Sequence, residues 1–525
     1  MKILVADAIA EEGLALLRES GFTTAVETGL SEAALCERIG DCEAVIVRST
    51  TFITESVIAA GRALRVIGRA GVGVDNIDVG AATERGIVVL NTPDANATTT
   101  AELTLAHLLS LSRHLPAADR SMRAGRWERS RFLGTEVAGK VLGVIGYGTI
   151  GRIVAARCLG LTMRVLAHDP FVTESTLIAD GVEPVSLDRV LAEADFLTLH
   201  CPLTDKTRGF INAEHIAHMK PGARLINCAR GELLDEQALL IALESGHLAG
   251  AALDVFAHEP PTGSALLRSD KVVFTPHLGA ATQEAQVAVG VAVARRVANY
   301  LSRGEAINAV NLPQVPTEEI QRIRPYQDLA RRLGKLLAVL APGPLDAVEV
   351  ALSGRAGEFD PHPIALEAVV GLLQDQMSVP VNSVNARYLA KRQGIALVES
   401  RSEATHDYLA LVSVIGHHAD GTTALVGTLL SDSHPRLVRI DDYEVETVPE
   451  GTLLITEHED RPGVVGALGT LLGREQINIS RMQVGVAASR RKAIAVIGIS
   501  APLSEPLLRQ VEAISAIDKV YQLTL

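Results

Sequence analysis

Residues 141–152 read VLGVIGYGTIGR: an aliphatic run, then Gly146, Gly148 and Gly151, then the opening of a helical pattern. Each glycine meets a separate demand. Gly146 permits a tight strand-to-helix turn, Gly148 lets a pyrophosphate approach the backbone, and Gly151 lets the helix pack closely on the strand with its N-terminus facing phosphate charge. A glycine triplet alone is weak evidence, because such a turn can sit in an α/β core and bind nothing. Here Asp169 ends the next aliphatic run, where a carboxylate can bond both ribose hydroxyls of a dinucleotide. The same carboxylate repels a 2′-phosphate, so the expected cofactor is NAD rather than NADP.

The flanking runs set the fold class. Apolar residues make up 47% of the chain but aromatics only 3%, so the cores are built from Ala, Val, Leu and Ile, a mix suited to helices packed on parallel strands. KILVADA, EAVIVRS, RVIGRAG and IVVLNTP read as strands of a first, smaller sheet. VLGVIGYG, RVLAHDP, DFLTLHCP, ARLINCARG, AGAALDVF and KVVFTPHLG read as a second, larger one. Between them ATTTAELTLAHLLSLSRHL, with Thr and Glu at its start, predicts a helix crossing between two domains. ATQEAQVAVGVAVARRVANYL, after His277, predicts a helix returning to the first. A chain of 525 residues is too long for one core and implies roughly three or four domains. The expected division is a discontinuous substrate domain (1–95 plus 284–313), a Rossmann-type nucleotide domain (96–283), a linker near 304–318, an α+β domain (319–448) and a βαββαβ unit (451–525).

Charge and cysteine usage exclude several classes. A net charge of −13 without long like-charged runs offers no basic patch, so neither nucleic acid nor a membrane surface is an expected partner. Cys36, Cys42, Cys158, Cys201 and Cys228 have neither zinc nor redox-motif spacing, and no metal is expected. Asp7 interrupts the N-terminal apolar stretch before a signal-peptide core forms, which with the unpaired cysteines points to the cytoplasm.

Rossmann-type domains bind ligand beyond the carboxyl ends of their strands, and three charged residues stand there in succession: Arg230, Glu259 and His277. Singly, each has a structural explanation as a helix cap, a turn residue or a packed ring. Together they meet the needs of hydride exchange at a hydroxyl-bearing carbon. Arg230 offers a planar fork for a carboxylate, His277 exchanges a proton near neutral pH, and Glu259, within hydrogen-bond reach of it, would fix the imidazole and favour its protonated form. In the first domain, Arg48 ends one strand and Arg69 precedes RAGVGVDN, whose amides could cradle an anion. Both could be surface arginines. A substrate bearing phosphate as well as carboxylate would employ both.

NCARGELLDEQAL, AALDVFAHEPP and TPHLGAAT closely resemble motifs of the D-2-hydroxyacid dehydrogenase family, and the resemblance covers residues 1–313. It implies substrate binding by Arg230, support from Glu259 and acid–base work by His277. It also implies NAD contacts from Thr149, Ile150, Asp169, Cys201, Cys228, Ala229, Arg230, Asp254, His277 and Gly279 beside the glycine motif. VRSTT, RAGVGVDN and GRWERSRFLGTE, with Trp127, resemble the phosphoglycerate dehydrogenases of that family in particular. In them the last segment lies near a dimer interface, so Arg129 or Arg131 could reach a partner's site.

The chain continues well past residue 313. Residues 319–448 resemble the intervening domain of long-form phosphoglycerate dehydrogenases, and TEHEDRPGVVGALGTLLG followed by INI resembles an ACT domain. ACT domains pair side by side and bind amino acids at the interface, which implies His458, Asp460 and Asn478 as effector contacts, with Gly463 allowing close approach. Asp460 could instead cap the following helix. The resemblance implies NAD-dependent oxidation of 3-phosphoglycerate to 3-phosphohydroxypyruvate, the first step of phosphorylated L-serine biosynthesis. It further implies a homo-oligomer (dimer or tetramer) with L-serine as effector and an intervening domain that binds an effector or only spaces the ACT unit. The alternatives are a glyoxylate or hydroxypyruvate reductase of the same scaffold and a non-enzymatic NAD(H)-sensing binding protein.

Overall fold

A computed structural model describes residues 1–316, 318–402, 407–486 and 491–525. The first sheet joins β1 (Lys2–Val5), β2 (Thr23–Val26), β3 (Ala44–Val47), β4 (Val66–Arg69) and β5 (Val88–Leu90), all parallel, in the order β2-β1-β3-β4-β5. The runs of β1, β3, β4 and β5 are largely buried and therefore read as continuous aliphatic stretches. β2, TTAV, is an edge strand only partly covered, and no apolar run announces it.

The second sheet is also parallel. It comprises β6 (Val141–Ile145), β7 (Arg164–His168), β8 (Glu183–Pro184), β9 (Phe196–Leu199), β10 (Arg224–Asn227), β11 (Gly250–Leu253) and β12 (Val272–Phe274), ordered β12-β11-β10-β9-β6-β7-β8. The order reverses beside β6, so the crevice for a ligand opens at the glycine motif. The predicted crossing helix spans Ala97–Arg113, and Asn96 at its start makes no side-chain cap bond. The returning helix, Gln283–Arg303, is capped by the Thr282 hydroxyl at one end and by left-handed Gly304 at the other. It lies on the first sheet, where Gly68 faces Val293 and Val297. It also crosses the Glu11–Glu19 helix closely enough that a side chain at Gly13 would meet the Gly290 carbonyl at 2.6 Å.

Part of the expected linker is structured. Val310 donates to the Val89 carbonyl and Asn311 accepts from the Val89 amide, so this stretch is stitched to the β5 edge, with Ala309 in the core.

The third sheet is mixed: β13 (Leu345–Gly354), β14 (Ala396–Ser402), β15 (Ala410–His418), β16 (Gly421–Leu430), β17 (His434–Ile440) and β18 (Tyr443–Thr447), in the order β14-β13-β15-β16-β17-β18. Helices Ile320–Leu340 and Pro361–Leu373 pack on it and on each other, with Gly334 and Gly371 each against the other helix's backbone. This unit also contacts the first domain. Its 382–385 loop docks on the first domain: Asn382 donates to the Gly86 carbonyl at 2.8 Å, Val384 enters that domain's core, and buried Asn385 ties the loop together. The fourth sheet is antiparallel, with β19 (Thr452–Glu459), β20 (Ile479–Val486), β21 (Lys492–Ile499) and β22 (Ile517–Thr524) in the order β20-β21-β19-β22. One of its faces, through Leu453, Ile455, Ile494 and Val496, joins the core of the third sheet.

Among the described residues, no helix is long and apolar enough to cross a membrane.

Candidate active site

β6 delivers the chain into Gly146, whose φ of 93° lies in the left-handed region. A side chain there would come within 2.6 Å of the His200–Cys201 backbone. Gly148 caps the Thr149–Gly160 helix and has nothing within 4 Å of where a Cβ would stand, while Gly151 abuts the Gly146 carbonyl. Open space at the middle glycine and crowding at the outer two is the arrangement a pyrophosphate requires. Asp169, just past β7, accepts from the amides of Tyr147 (2.7 Å) and Phe171 (2.8 Å), which holds the carboxylate beside the glycine turn. These residues fit a dinucleotide. Thr149 and Ile150 open the helix, and Cys201, Cys228 and Ala229 follow β9 and β10. Burial pushes the Cys201 thiol up to about 11 and the Cys228 thiol up to about 12, so both are neutral.

His277 Nδ1 lies 2.7 Å from Glu259 Oε2, and Glu259 Oε1 accepts from the Phe256 amide at 3.1 Å. The hydrogen bond from Glu259 raises the His277 pKa above its ordinary value, against the opposing effect of burial. Burial pushes Glu259 up, but the hydrogen bond and charge of His277 outweigh it and its pKa lies below the usual carboxylate range. Arg230 is close enough that its charge depresses both. His277 and Glu259 therefore meet directly, with the charge of Arg230 acting on both.

His277 adopts a left-handed backbone (φ 55°), a conformation that costs a residue with a Cβ roughly 1–3 kcal/mol unless its surroundings impose it. Here they do. Asp254, wholly buried after β11, accepts from Thr275 Oγ1 (2.6 Å), the Leu278 amide (2.6 Å) and the Gly279 amide (2.9 Å), while its own carbonyl accepts from the His277 amide at 2.9 Å. The crossing helix adds Thr100 Oγ1, which donates to the Gly279 carbonyl at 2.8 Å. It also adds His107 Nε2, 3.0 Å from Thr275 Oγ1. Because the Thr275 hydroxyl spends its proton on Asp254, His107 is the donor, which sets its tautomer. Thr100 and His107 carry no motif signal, and Thr275, though it opens TPHLGAAT, meets His107 only through the fold.

Across the cleft, Arg69 is pushed down to about 10, first by burial and then by the charges of Arg230 and Arg48. The three guanidiniums thus share one electrostatic environment, and Arg69 Nε is buried without a partner. The carboxylates of Asp75 and Asp7 partly offset these like charges, and Asp75 bonds Arg230 directly. Asp7, read from the sequence only as an interruption of an apolar run, accepts from the Arg48 amide (2.6 Å), Thr50 Oγ1 (2.5 Å) and Thr51 Oγ1 (2.8 Å). Asn76 donates to the Arg48 carbonyl at 2.7 Å. Both anchor the loop that presents Arg48.

Three family models match the chain: the D-isomer specific 2-hydroxyacid dehydrogenase NAD binding domain over residues 105–279, the D-3-phosphoglycerate dehydrogenase intervening domain over 322–441, and the ACT domain over 452–516. A D-3-phosphoglycerate dehydrogenase of Synechocystis sp. is 42% identical over 525 residues, covering 100% of this chain and 95% of the relative. The chain belongs to the D-3-phosphoglycerate dehydrogenase family. One of Bacillus subtilis is 38% identical, covering 97% of each chain. Among solved structures, a Thermus thermophilus protein superposes with a TM-score of 0.55 at 36% identity, covering 59% of this chain and 100% of its own. A glyoxylate reductase of Paecilomyes thermophila matches with 0.55 at 32%, covering 59% and 98%. The fold is α/β, and the nucleotide site is that of an NAD-dependent dehydrogenase of this family.

In the ACT domain of this family member, His458 is buried beside Thr456, on the strand face opposite Leu453 and Ile455, whereas Asp460 and Asn478 are exposed. The helix after Asp460 is capped by Gly463 (φ 100°), so Asp460 does not serve as its cap. Asp460 follows the end of β19 that pairs Glu459 with Lys492, and Asn478 precedes the end of β20 that pairs Ile479 with Ile499. They therefore stand at opposite ends of one sheet, and a single domain does not assemble the expected effector site.

Proposed function

We propose that this chain oxidises 3-phosphoglycerate to 3-phosphohydroxypyruvate with NAD, the first step of the phosphorylated route to L-serine. The observation that carries this reading is the His277–Glu259 pair at 2.7 Å, with Arg230 in charge range and Arg69 and Arg48 facing it, in a chain aligned end to end with D-3-phosphoglycerate dehydrogenases. Gly146, Gly148, Gly151 and Asp169 hold NAD, with Thr149, Ile150, Cys201, Cys228, Ala229, Asp254 and Gly279 along the strand ends. When bound, NAD supplies the hydride acceptor.

Arg230 holds the substrate carboxylate and Arg48 and Arg69 the phosphate. Neutral His277 takes the C2 hydroxyl proton as the carbon is oxidised. Glu259 stabilises the imidazolium that forms and holds the ring in place. Oxidation requires the unprotonated ring, whose pKa lies above the ordinary value of about 6.5. The rate is therefore expected to rise with pH through a midpoint above that value. Glu259→Gln removes the charge that raises it, so a pH profile of kcat/KM should show the midpoint moved to lower pH and kcat reduced.

The reading is tested by absorbance of NADH with 3-phosphoglycerate, glycerate, glyoxylate and hydroxypyruvate, with and without L-serine. Turnover of 3-phosphoglycerate well above glycerate supports it, and preferential reduction of glyoxylate by NADH contradicts it. Arg48→Ala is expected to weaken 3-phosphoglycerate by roughly tenfold or more, the scale of one charge-assisted hydrogen bond, and to leave glycerate nearly untouched. Equal losses on both substrates remove Arg48 from phosphate binding.

Two finer assignments accompany this reading. The protein works in the cytoplasm as a homo-oligomer, a dimer or tetramer, with Leu115, Met122, Trp127 and Leu133 as exposed apolar anchors at the interface and Arg129 and Arg131 beside them. L-serine binds where paired ACT domains bring Asp460 of one chain near Asn478 of the other, with buried His458 behind. The serine arm of the assay, with a melting curve beside it, decides this: if serine neither slows the rate nor shifts the melting temperature, the assignment is refuted.

A further inference from the structure

Asp75, in the glycine loop after β4, places its Oδ2 3.2 Å from Arg230 Nε. The pair spans the cleft, joining the substrate domain to the nucleotide domain. Gly73 makes room for it, since a side chain there would collide with both the Arg230 guanidinium and the Asp75 carboxylate. Arg230 is further fixed by donating from Nη1 to the Ala229 carbonyl at 2.7 Å, which leaves Nη2 as the nitrogen turned toward the glycine loop. The neighbouring Asn76 is the residue that grips the Arg48 loop, and Arg69 opens the same stretch of chain. One short segment thus touches the supports of all three arginines.

A carboxylate is an odd occupant for a pocket that binds an anion. It repels the substrate, and at 60% exposure for Asp75 against 26% for Arg230 the pair adds little to stability. What it supplies is direction: with Nε tied to Asp75 and Nη1 to the backbone, the guanidinium plane is set before substrate arrives.

We propose that Asp75 is a positioning residue for Arg230, orienting the guanidinium across the cleft so that it meets the carboxylate end of a 2-hydroxyacid substrate. This rests on the reading of Arg230 as the carboxylate ligand. It adds a contribution from the opposite domain: the nucleotide domain provides the guanidinium and the substrate domain aims it only where the two domains are apposed.

The test is steady-state kinetics of the full chain with Asp75→Asn, Asp75→Glu, Arg230→Lys and the Asp75→Asn/Arg230→Lys double variant, on 3-phosphoglycerate and on glycerate. NAD binding and melting temperature are measured alongside. Asp75→Asn is expected to lower kcat by about tenfold on both substrates, because both carry the carboxylate, with NAD affinity and melting temperature unchanged. Asp75→Glu should recover part of the loss, and the double variant should be little worse than Arg230→Lys alone. An unchanged kcat in Asp75→Asn overturns the proposal, as does a loss confined to the phosphorylated substrate or full additivity in the double variant. Failure of the underlying reading is separately visible, since Arg230→Lys would then leave turnover of glycerate unchanged.

Discussion

His277→Ala is expected to lower kcat by roughly 10²–10⁴-fold, the weight of a positioned acid–base group, and to leave NAD binding intact. Among the described residues, neither neighbouring titratable group replaces His277 as a proton acceptor. Glu259 is held below the usual carboxylate range, and buried His107 is pushed down and committed to Thr275. Because position 277 is left-handed, Ala there meets a backbone it disfavours and the loop could shift. His277→Asn separates the two effects. Asn tolerates this conformation but exchanges no proton, so it should show the same loss of kcat with a native melting curve. Near-normal turnover in the Asn variant would take His277 out of the chemistry.

Arg230→Ala should cut kcat/KM by about 2–5 kcal/mol, or roughly 30- to several-thousand-fold, the cost of removing one partner from a desolvated charge pair. Two effects add. The substrate carboxylate loses its fork, and Asp75, now without its cation, presents an uncompensated negative charge to an anionic substrate. Arg230→Lys keeps the charge but not the planar geometry and should recover only a small part. Loss through KM alone, with kcat intact, would make Arg230 a general anion attractor and not a ligand that orients C2.

What could be read from the chain follows the physics of burial. Strands covered on both faces, such as β3 and β9, are plain aliphatic runs, and the topology of a parallel sheet then brings the residues after them together. That is why Arg230, Glu259 and His277, ordinary one by one, were legible as a set. β2 and the two-residue β8 are edge strands whose short, partly polar stretches carry no such signal. The contacts that aim and brace the site were hidden for another reason. Asp75 meets Arg230, and His107 meets Thr275, across long sequence separations that no local pattern encodes. Asp7 and Asn76 sit inside segments whose visible features were a strand and a glycine loop, and their partners emerge only when β1, β3 and β4 lie side by side. In the ACT domain, the short stretch of chain between Asp460 and Asn478 offered no hint that the sheet sends them to opposite ends.

A crystal structure of the complex with NAD and 3-phosphoglycerate tests the whole account most directly. His277 Nε2 is expected within about 3 Å of the C2 hydroxyl oxygen and Arg230 on the carboxylate, with Arg48 and Arg69 on the phosphate. A substrate bound with its hydroxyl turned away from His277, or with its phosphate on Arg230, would contradict it.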